Sequence, residues 1–344
     1  DPQVRAHLLP EIYPAGDEVV LIYETLGRLV PSGGLPIQVG VIVWNVETMY
    51  NIYRALTDVQ PVTHKYVMIA GEVQTPCTVH VPLGMTVAEL VALAGGVTTE
   101  NPVYLLGGVM TGSLGDTQDV VTKTTNAVLV LPVRHPAARK RMGTPAVQLQ
   151  RAKSACCFCQ MCTDLCPRHL LGHPITPHAF MGAATHEDTH DVRPYLDTRY
   201  CSACGLCEMY ACTQDLSPRA LIVAYKQGLA KKGVRAQEEP PAPEVLPERP
   251  YRGVPTKRLI VHLGLSPYNV PAPLADAEIS TKRVRVLLRQ GIGVAALPTV
   301  KAGDTVTAGQ RIANAAQDAL GVPVHAPIAG RVLEVNAQSL LIQA

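Results

Sequence analysis

Eight of the ten cysteines in this 344-residue chain fall in two compact runs, and no other feature narrows its fold so far. The first run is Cys156, Cys159, Cys162 and Cys166, followed by Pro167, spaced C-x2-C-x2-C-x3-C-P. The second is Cys201, Cys204, Cys207 and Cys212, spaced C-x2-C-x2-C-x4-C. Three thiolates at three-residue intervals let one tight loop wrap three corners of an iron–sulfur cubane, while the fourth must approach from elsewhere. Pro167 helps turn the chain away after Cys166. Structural zinc takes its four ligands in pairs, so two triplets with a follower each are too dense for it. No charged stretch followed by an apolar core marks a secretory signal, so a cytoplasmic chain is expected, with no need of disulfide staples.

In two-cluster bacterial ferredoxins the fourth cysteine of each run ligates the other cluster. Carried onto these positions, one 4Fe-4S cluster takes Cys156, Cys159, Cys162 and Cys212, and a second takes Cys201, Cys204, Cys207 and Cys166. The second run departs from the common pattern in its x4 spacing and in having Thr213 where proline is usual. Cys157, out of register with the triplet, and Cys77, in a strand-like stretch, are expected to be buried free thiols.

At this length several small domains are expected rather than one core. Lysine and arginine total 30 against 28 aspartates and glutamates, a net charge of +2, with no block of like charge to suit nucleic acid. The longest apolar runs, such as Val128 to Leu131, fall far short of the ~20 residues of a bilayer span. Residue 1 is Asp, so the numbering is expected to start inside a longer gene product.

The expected fold is multidomain α+β. Residues 1–57 read as the end of an α/β flavin-type domain: Tyr13-Pro-Ala-Gly-Asp-Glu18 opens a helix, Val39 to Val43 is a short strand, and Asn45 caps a helix with Met49, Ile52, Tyr53 and Leu56 on one face. Residues 62–132 read as a β-grasp domain, with Thr86 and Glu89 as a capping box and Gly95-Gly96 stopping the helix. Its segment Gly107 to Gly115 reads as plain turn structure. Arg134 to Arg141 is a basic connector in which Arg139-Lys-Arg141 forms a solvated face. A helical two-cluster module follows at 147–230, with five histidines between 168 and 190 expected in surface or packing roles. Residues 231–256 read as a Pro/Glu-rich linker. Residues 257–344 read as short strands of a barrel-sandwich domain, with no lysine after Lys301 to carry a swinging arm.

In this order the pieces resemble the cobalamin reductases of propanediol-utilisation bacterial microcompartments, related to the C subunit of Rnf complexes and the flavin subunit of respiratory complex I. The residues carrying the resemblance are Tyr13-Pro-Ala-Gly-Asp-Glu18, Asn45-Val-Glu-Thr48, Ala94-Gly-Gly96, Cys162-Thr-Asp-Leu-Cys-Pro-Arg-His169, Leu287-Leu-Arg-Gln290 and Pro323-Val-His-Ala-Pro327. The resemblance implies an NADH-dependent oxidoreductase, a flavin and iron–sulfur enzyme that reduces cob(III)- and cob(II)alamin in 1,2-propanediol utilisation. The implied cofactors are two 4Fe-4S clusters and FMN, with NADH and cobalamin as substrates. An adenosyltransferase and shell proteins are the implied partners, and the implied location is a cytoplasmic microcompartment. In those relatives an upstream Gly-rich loop holds the FMN phosphate, and segments matching Tyr13, Gly16, Asp17, Glu18, Asn45 and Thr48 complete the pocket. Trp44 stands where the complex I pattern has a second Asn. A different implied role is an electron-transfer subunit of an Rnf-type NADH:ferredoxin oxidoreductase with no cobalamin site. Neither the motifs nor the resemblance assigns a catalytic side chain.

Overall fold

The structure is a computed structural model that describes residues 3–234, 242–276 and 279–344. The chain forms two compact units, one made of Asp1–Val43 with Arg139–Pro267 and the other of Trp44–Ala138 with Tyr268–Ala344.

In the first unit the helix Glu18–Leu26 starts where the sequence places it. The Asp17 carboxylate accepts from the Val19 and Val20 N–H groups at 3.2 and 3.3 Å, and Gly27 ends the helix at a left-handed φ of 65°. Its buried face, Val19, Val20 and Ile22, packs with Val30 and Leu171. The strand expected at Val39–Val43 is not formed. Pro36–Val39 makes a 3-10 turn that Gly40 ends at φ 71°, and the following residues run on without a sheet partner. A short apolar run becomes a strand only where a neighbouring edge takes up its backbone N–H and C=O groups, and no described strand offers one here.

The helices Pro145–Ala155, Pro177–His186 and Pro218–Lys231 close on a core of Phe180, Met181, Leu216, Leu221 and Ile222. Phe180 meets Tyr195 and Tyr225 edge-on, with centroids 6.1 and 5.2 Å apart. Of the stretch expected as a linker, residues 235–241 lie outside the described residues. The rest is held to the unit: Leu246 N–H donates to Leu170 O at 3.1 Å, and Val254–Pro255 pairs antiparallel with Ile12–Tyr13. Thr256–His262 is a helix rather than a strand, because Leu259 and Leu263, four residues apart, are both buried along one side.

In the second unit five strands lie in the spatial order Cys77–Pro82, His64–Gly71, Ala127–Pro132, Pro102–Leu106, Ser113–Gly115. Only His64–Gly71 with Ala127–Pro132 is parallel. The helix Val87–Leu93 lays Leu90 and Val91 on Val67, Ile69, Val79, Val128 and Val130, giving the β-grasp core. Its capping box is complete: Thr86 N–H donates to Glu89 Oε2 at 2.9 Å and Glu89 N–H to Thr86 Oγ1 at 3.2 Å. Asn45 caps the helix Val46–Thr57, accepting from Glu47 N–H at 2.9 Å. Glu47 ion-pairs with the buried Lys65 and accepts from Tyr66 N–H at 3.1 Å, which fixes this helix to the sheet.

From Arg283 onward a four-stranded and a three-stranded antiparallel sheet share one core of Val284, Val286, Ile312, Val332, Leu340 and Ile342, the barrel-sandwich expected for this region. Among the described residues no helix is long and apolar enough to cross a membrane.

Candidate iron–sulfur site

The loops Cys156 to Cys162 and Cys201 to Cys207 have the same backbone. Phe158 and Gln160 in the first, and Ala203 and Gly205 in the second, take left-handed φ values of 52°, 63°, 58° and 88° at matching positions. For a residue with a Cβ this conformation costs roughly 1–2 kcal/mol. Its return is local: the bends aim backbone N–H groups at sulfur. Phe158 N–H faces Cys156 and Ala203 N–H faces Cys201, the latter at 3.2 Å, while Met161 N–H faces Cys159 and Leu206 N–H faces Cys204. Such donors favour the thiolate form that binds metal.

Each loop forms the wall of one cavity, and each cavity takes its fourth cysteine from the other run. The first is lined by Cys156, Cys159, Cys162 and Cys212, with Met181 and Leu216 among the apolar walls. The second is lined by Cys201, Cys204, Cys207 and Cys166, with Pro167, Ile175 and Ile222. Among the described residues no three His, Cys, Asp or Glu side chains converge tightly enough for a lone ion. The thiols line the sides of a space rather than meet at a point, which fits a four-iron cubane with one thiolate per iron.

The donor set also fits that group electrostatically. Burial, reinforced by Cys212, pushes the Cys162 thiol up to about 12, and burial pushes Cys204 up to about 11. Burial raises Cys166 and Cys207 as well, the cysteines of their own cavity adding to the effect. Four thiolates this close need a strongly positive centre between them, and iron supplies one. Cys159, at the solvent edge, is shifted the other way, by Met161 N–H first.

The extra residue of the second run has a local structural solution. In the first run Cys162 leads through the short helix Met161–Asp164 to Cys166. In the second, Cys207–Ala211 forms a π-helical turn, the usual way of absorbing one inserted residue, and so presents Cys212 to the opposite cavity.

The second loop is further held by its carbonyls. Lys226 Nζ donates to Cys201 O at 2.7 Å, Arg219 Nε to Ala203 O at 2.9 Å, and Tyr13 Oη to Cys204 O at 2.6 Å. Of the basic triplet expected to form a solvated face, only Arg139 is solvent-exposed. Lys140 bonds Glu208 O and Asp215 Oδ1, the latter at 2.8 Å, and the buried Arg141 reaches Glu208 Oε1 at 3.5 Å. The correction follows from Glu208: a carboxylate buried beside Cys207 requires a cation, and Arg141 supplies one.

The candidate flavin residues fall in two groups. Tyr13, Gly16, Asp17 and Glu18 sit at the start of the first helix, where Asp17 also pairs with Arg168 at 2.9 Å. Asn45 and Thr48 belong to the other unit, in the capped first turn of its helix. Tyr13 also lines a cavity whose walls include Pro167 and Leu206, both shared with the second cysteine cavity. This neighbour of the cysteine site carries no sequence motif; Arg249 and Arg252 complete its rim from the stretch expected as linker.

Three of the histidines are held by hydrogen bonds: His169 Nδ1 with Ile175 O at 3.0 Å, His173 Nδ1 with Ser32 Oγ at 2.9 Å, His178 Nδ1 with Thr163 Oγ1 at 2.9 Å. Cys77 is buried as expected, but Cys157 is exposed and lines the first cysteine cavity. The tight bend at Phe158 leaves it no core to enter.

Four family models match the chain: a Nuo51 FMN-binding domain at residues 1–54, an SLBB domain at 66–113, a 4Fe-4S dicluster domain at 155–217 and an RnfC barrel sandwich hybrid domain at 270–343. The cobalamin reductase PduS of Citrobacter freundii is 42% identical over 340 residues, which is 98% of this chain and 75% of the relative. The cobalamin reductase PduS of Salmonella typhimurium strain LT2 is 42% identical over 342 residues, again 98% and 75%. In the ion-translocating oxidoreductase complex of Klebsiella pneumoniae strain 342, the C subunit is 34% identical over 170 residues, 49% of this chain and 21% of that relative. With two relatives 42% identical along 98% of its length, the chain belongs to the cobalamin reductase PduS family.

Proposed function

We propose that this chain is an iron–sulfur, flavin-linked cobalamin reductase that passes electrons from NADH through two 4Fe-4S clusters to cob(III)- and cob(II)alamin in 1,2-propanediol utilisation. The observation that carries the reading is the crossed cysteine arrangement: each cavity draws three thiols from one run and the fourth from the other. That arrangement links the two loops into one unit and brings the cavities close together, as stepwise electron transfer requires.

When bound, the flavin accepts a hydride and releases its two electrons one at a time, which matches clusters and cobalt that each take one. The chain's own residues do the rest. Cys156, Cys159, Cys162 and Cys212 hold one cluster, and Cys201, Cys204, Cys207 and Cys166 hold the other. Met181 and Leu216 on one side, and Ile175 and Ile222 on the other, give the sulfurs apolar walls. Lys226 and Arg219 hold two carbonyls of the second loop and add positive charge beside it. Tyr13, Gly16, Asp17, Glu18, Asn45 and Thr48 contribute to the flavin site. Their match to an FMN-binding domain model supports this role. Membership in the PduS family supports cobalamin as substrate, and with it a cytoplasmic microcompartment setting with an adenosyltransferase and shell proteins as neighbours. The Rnf-type role has weaker support, since that relative matches only half of this chain.

The test is anaerobic cobalamin reduction with NADH by the full-length protein, beside a Cys162→Ser/Cys207→Ser variant. A rate that collapses in the variant supports the proposal. Equal rates in the two proteins refute it.

A further inference from the structure

The cavity of the first cysteine loop is lined by five thiols, one more than a cubane uses. The fifth is Cys157. Its neighbour Phe158 takes a left-handed φ of 52°, and this bend turns Cys157 toward the cavity that Cys159 also lines. Cys157 and Cys159 thus line the same cavity, two residues apart. The second loop shows that the loop fold itself creates this position: Ser202, the counterpart of Cys157, also lines its cavity, together with Cys204, the counterpart of Cys159. The two loops therefore place the same side-chain position against the same corner. Only the first puts a sulfur there.

The corner concerned is the exposed one. Cys159 and Cys157 are both solvent-exposed, whereas Cys156, Cys162 and Cys212 are partly buried. Iron at a solvent-facing corner is the first that water or oxidants reach.

We propose that Cys157 is a reserve ligand for the iron held by Cys159, able to take over that corner of the first cluster. This rests on the reading of the first cavity as a 4Fe-4S site. The exchange needs no oxidant: the iron–sulfur bond to Cys159 breaks as the bond to Cys157 forms, and the Cys157 proton passes to the departing Cys159 thiolate. Iron keeps its oxidation state, and the cubane keeps four sulfur ligands.

The experiment compares the anaerobically purified full chain with Cys159→Ala and Cys157→Ala/Cys159→Ala variants. Iron is quantified, and Cys157 alkylation by iodoacetamide is read by mass spectrometry. The unchanged protein is expected to hold about eight irons per chain, Cys159→Ala to keep about eight, and the double variant to fall to about four. Cys157 is expected to be alkylated in the unchanged holoprotein and protected in Cys159→Ala. Equal iron in the single and double variants, at whatever level, overturns the proposal, as does Cys157 that stays reactive in Cys159→Ala. If Cys159→Ala does not fold, Cys157→Ala alone decides: it is expected to lose its first cluster in air several-fold faster than the unchanged protein, and an equal rate overturns the proposal. Absence of iron from the unchanged protein would instead refute the cluster reading beneath it.

Discussion

The Tyr13 hydroxyl donates to the Cys204 carbonyl at 2.6 Å, joining residues 191 positions apart and fixing the N-terminal segment to the second cysteine loop. Burial, with smaller contributions from Cys204 and Asp17, raises the Tyr13 phenol far above its ordinary range, so it remains a neutral donor at any working pH. Tyr13→Phe keeps the ring and deletes the bond. It should cost about 1 kcal/mol, read as a lower unfolding midpoint of the anaerobic holoprotein with unchanged iron content.

A second tie of the N-terminal segment, to the stretch just after the first cysteine run, is the Asp17–Arg168 pair, largely shielded from solvent. Asp17 also caps the first helix, so Asp17→Ala removes two interactions at once. A loss of roughly 2–4 kcal/mol is expected, larger than for Arg168→Met, which leaves the cap in place. Chemical denaturation of the three proteins under anaerobic conditions compares them directly.

His173 gives the stability a pH dependence. Burial first, and Arg168 second, lower its folded pKa from the ordinary 6.5 to about 4. Between those values the unfolded chain binds a proton that the folded chain refuses. Stability should therefore fall as pH drops from about 6.5 toward 4, and the contribution should level off below that. The full effect is on the order of 3 kcal/mol, and His173→Asn should lack this part of the slope in matched denaturation series.

Lys226 places a positive charge on the Cys201 carbonyl, at one loop only. Lys226→Met should make the second cluster harder to reduce, by on the order of 50 mV, and leave the first nearly unchanged. Redox titration followed by electron paramagnetic resonance separates the two.

What the sequence made legible follows from how strictly chemistry fixes spacing. A cubane dictates where thiolates stand, so the exchange of Cys166 and Cys212 between the two loops could be anticipated; the cavities group Cys212 with the first triplet and Cys166 with the second. Local capping was equally readable at Asn45, Thr86 and Glu89, which act on backbone groups within three residues. Long-range partnership was not. Val39–Val43 has strand composition but meets no sheet edge, and Arg139-Lys-Arg141 has surface composition, yet Arg141 is buried against Glu208. The general preference of free thiols for burial misleads at Cys157, because the Phe158 bend overrides it. The x4 spacing was visible as a departure, while its accommodation by a π-helical turn needed the backbone.

The most direct measurement is iron and acid-labile sulfide per chain in protein prepared without oxygen, with electron paramagnetic resonance after reduction. About eight of each, with two magnetically interacting reduced centres, is the result expected of crossed thiolate sets around two cubanes. Stoichiometric zinc with no reducible paramagnetic centre would contradict it.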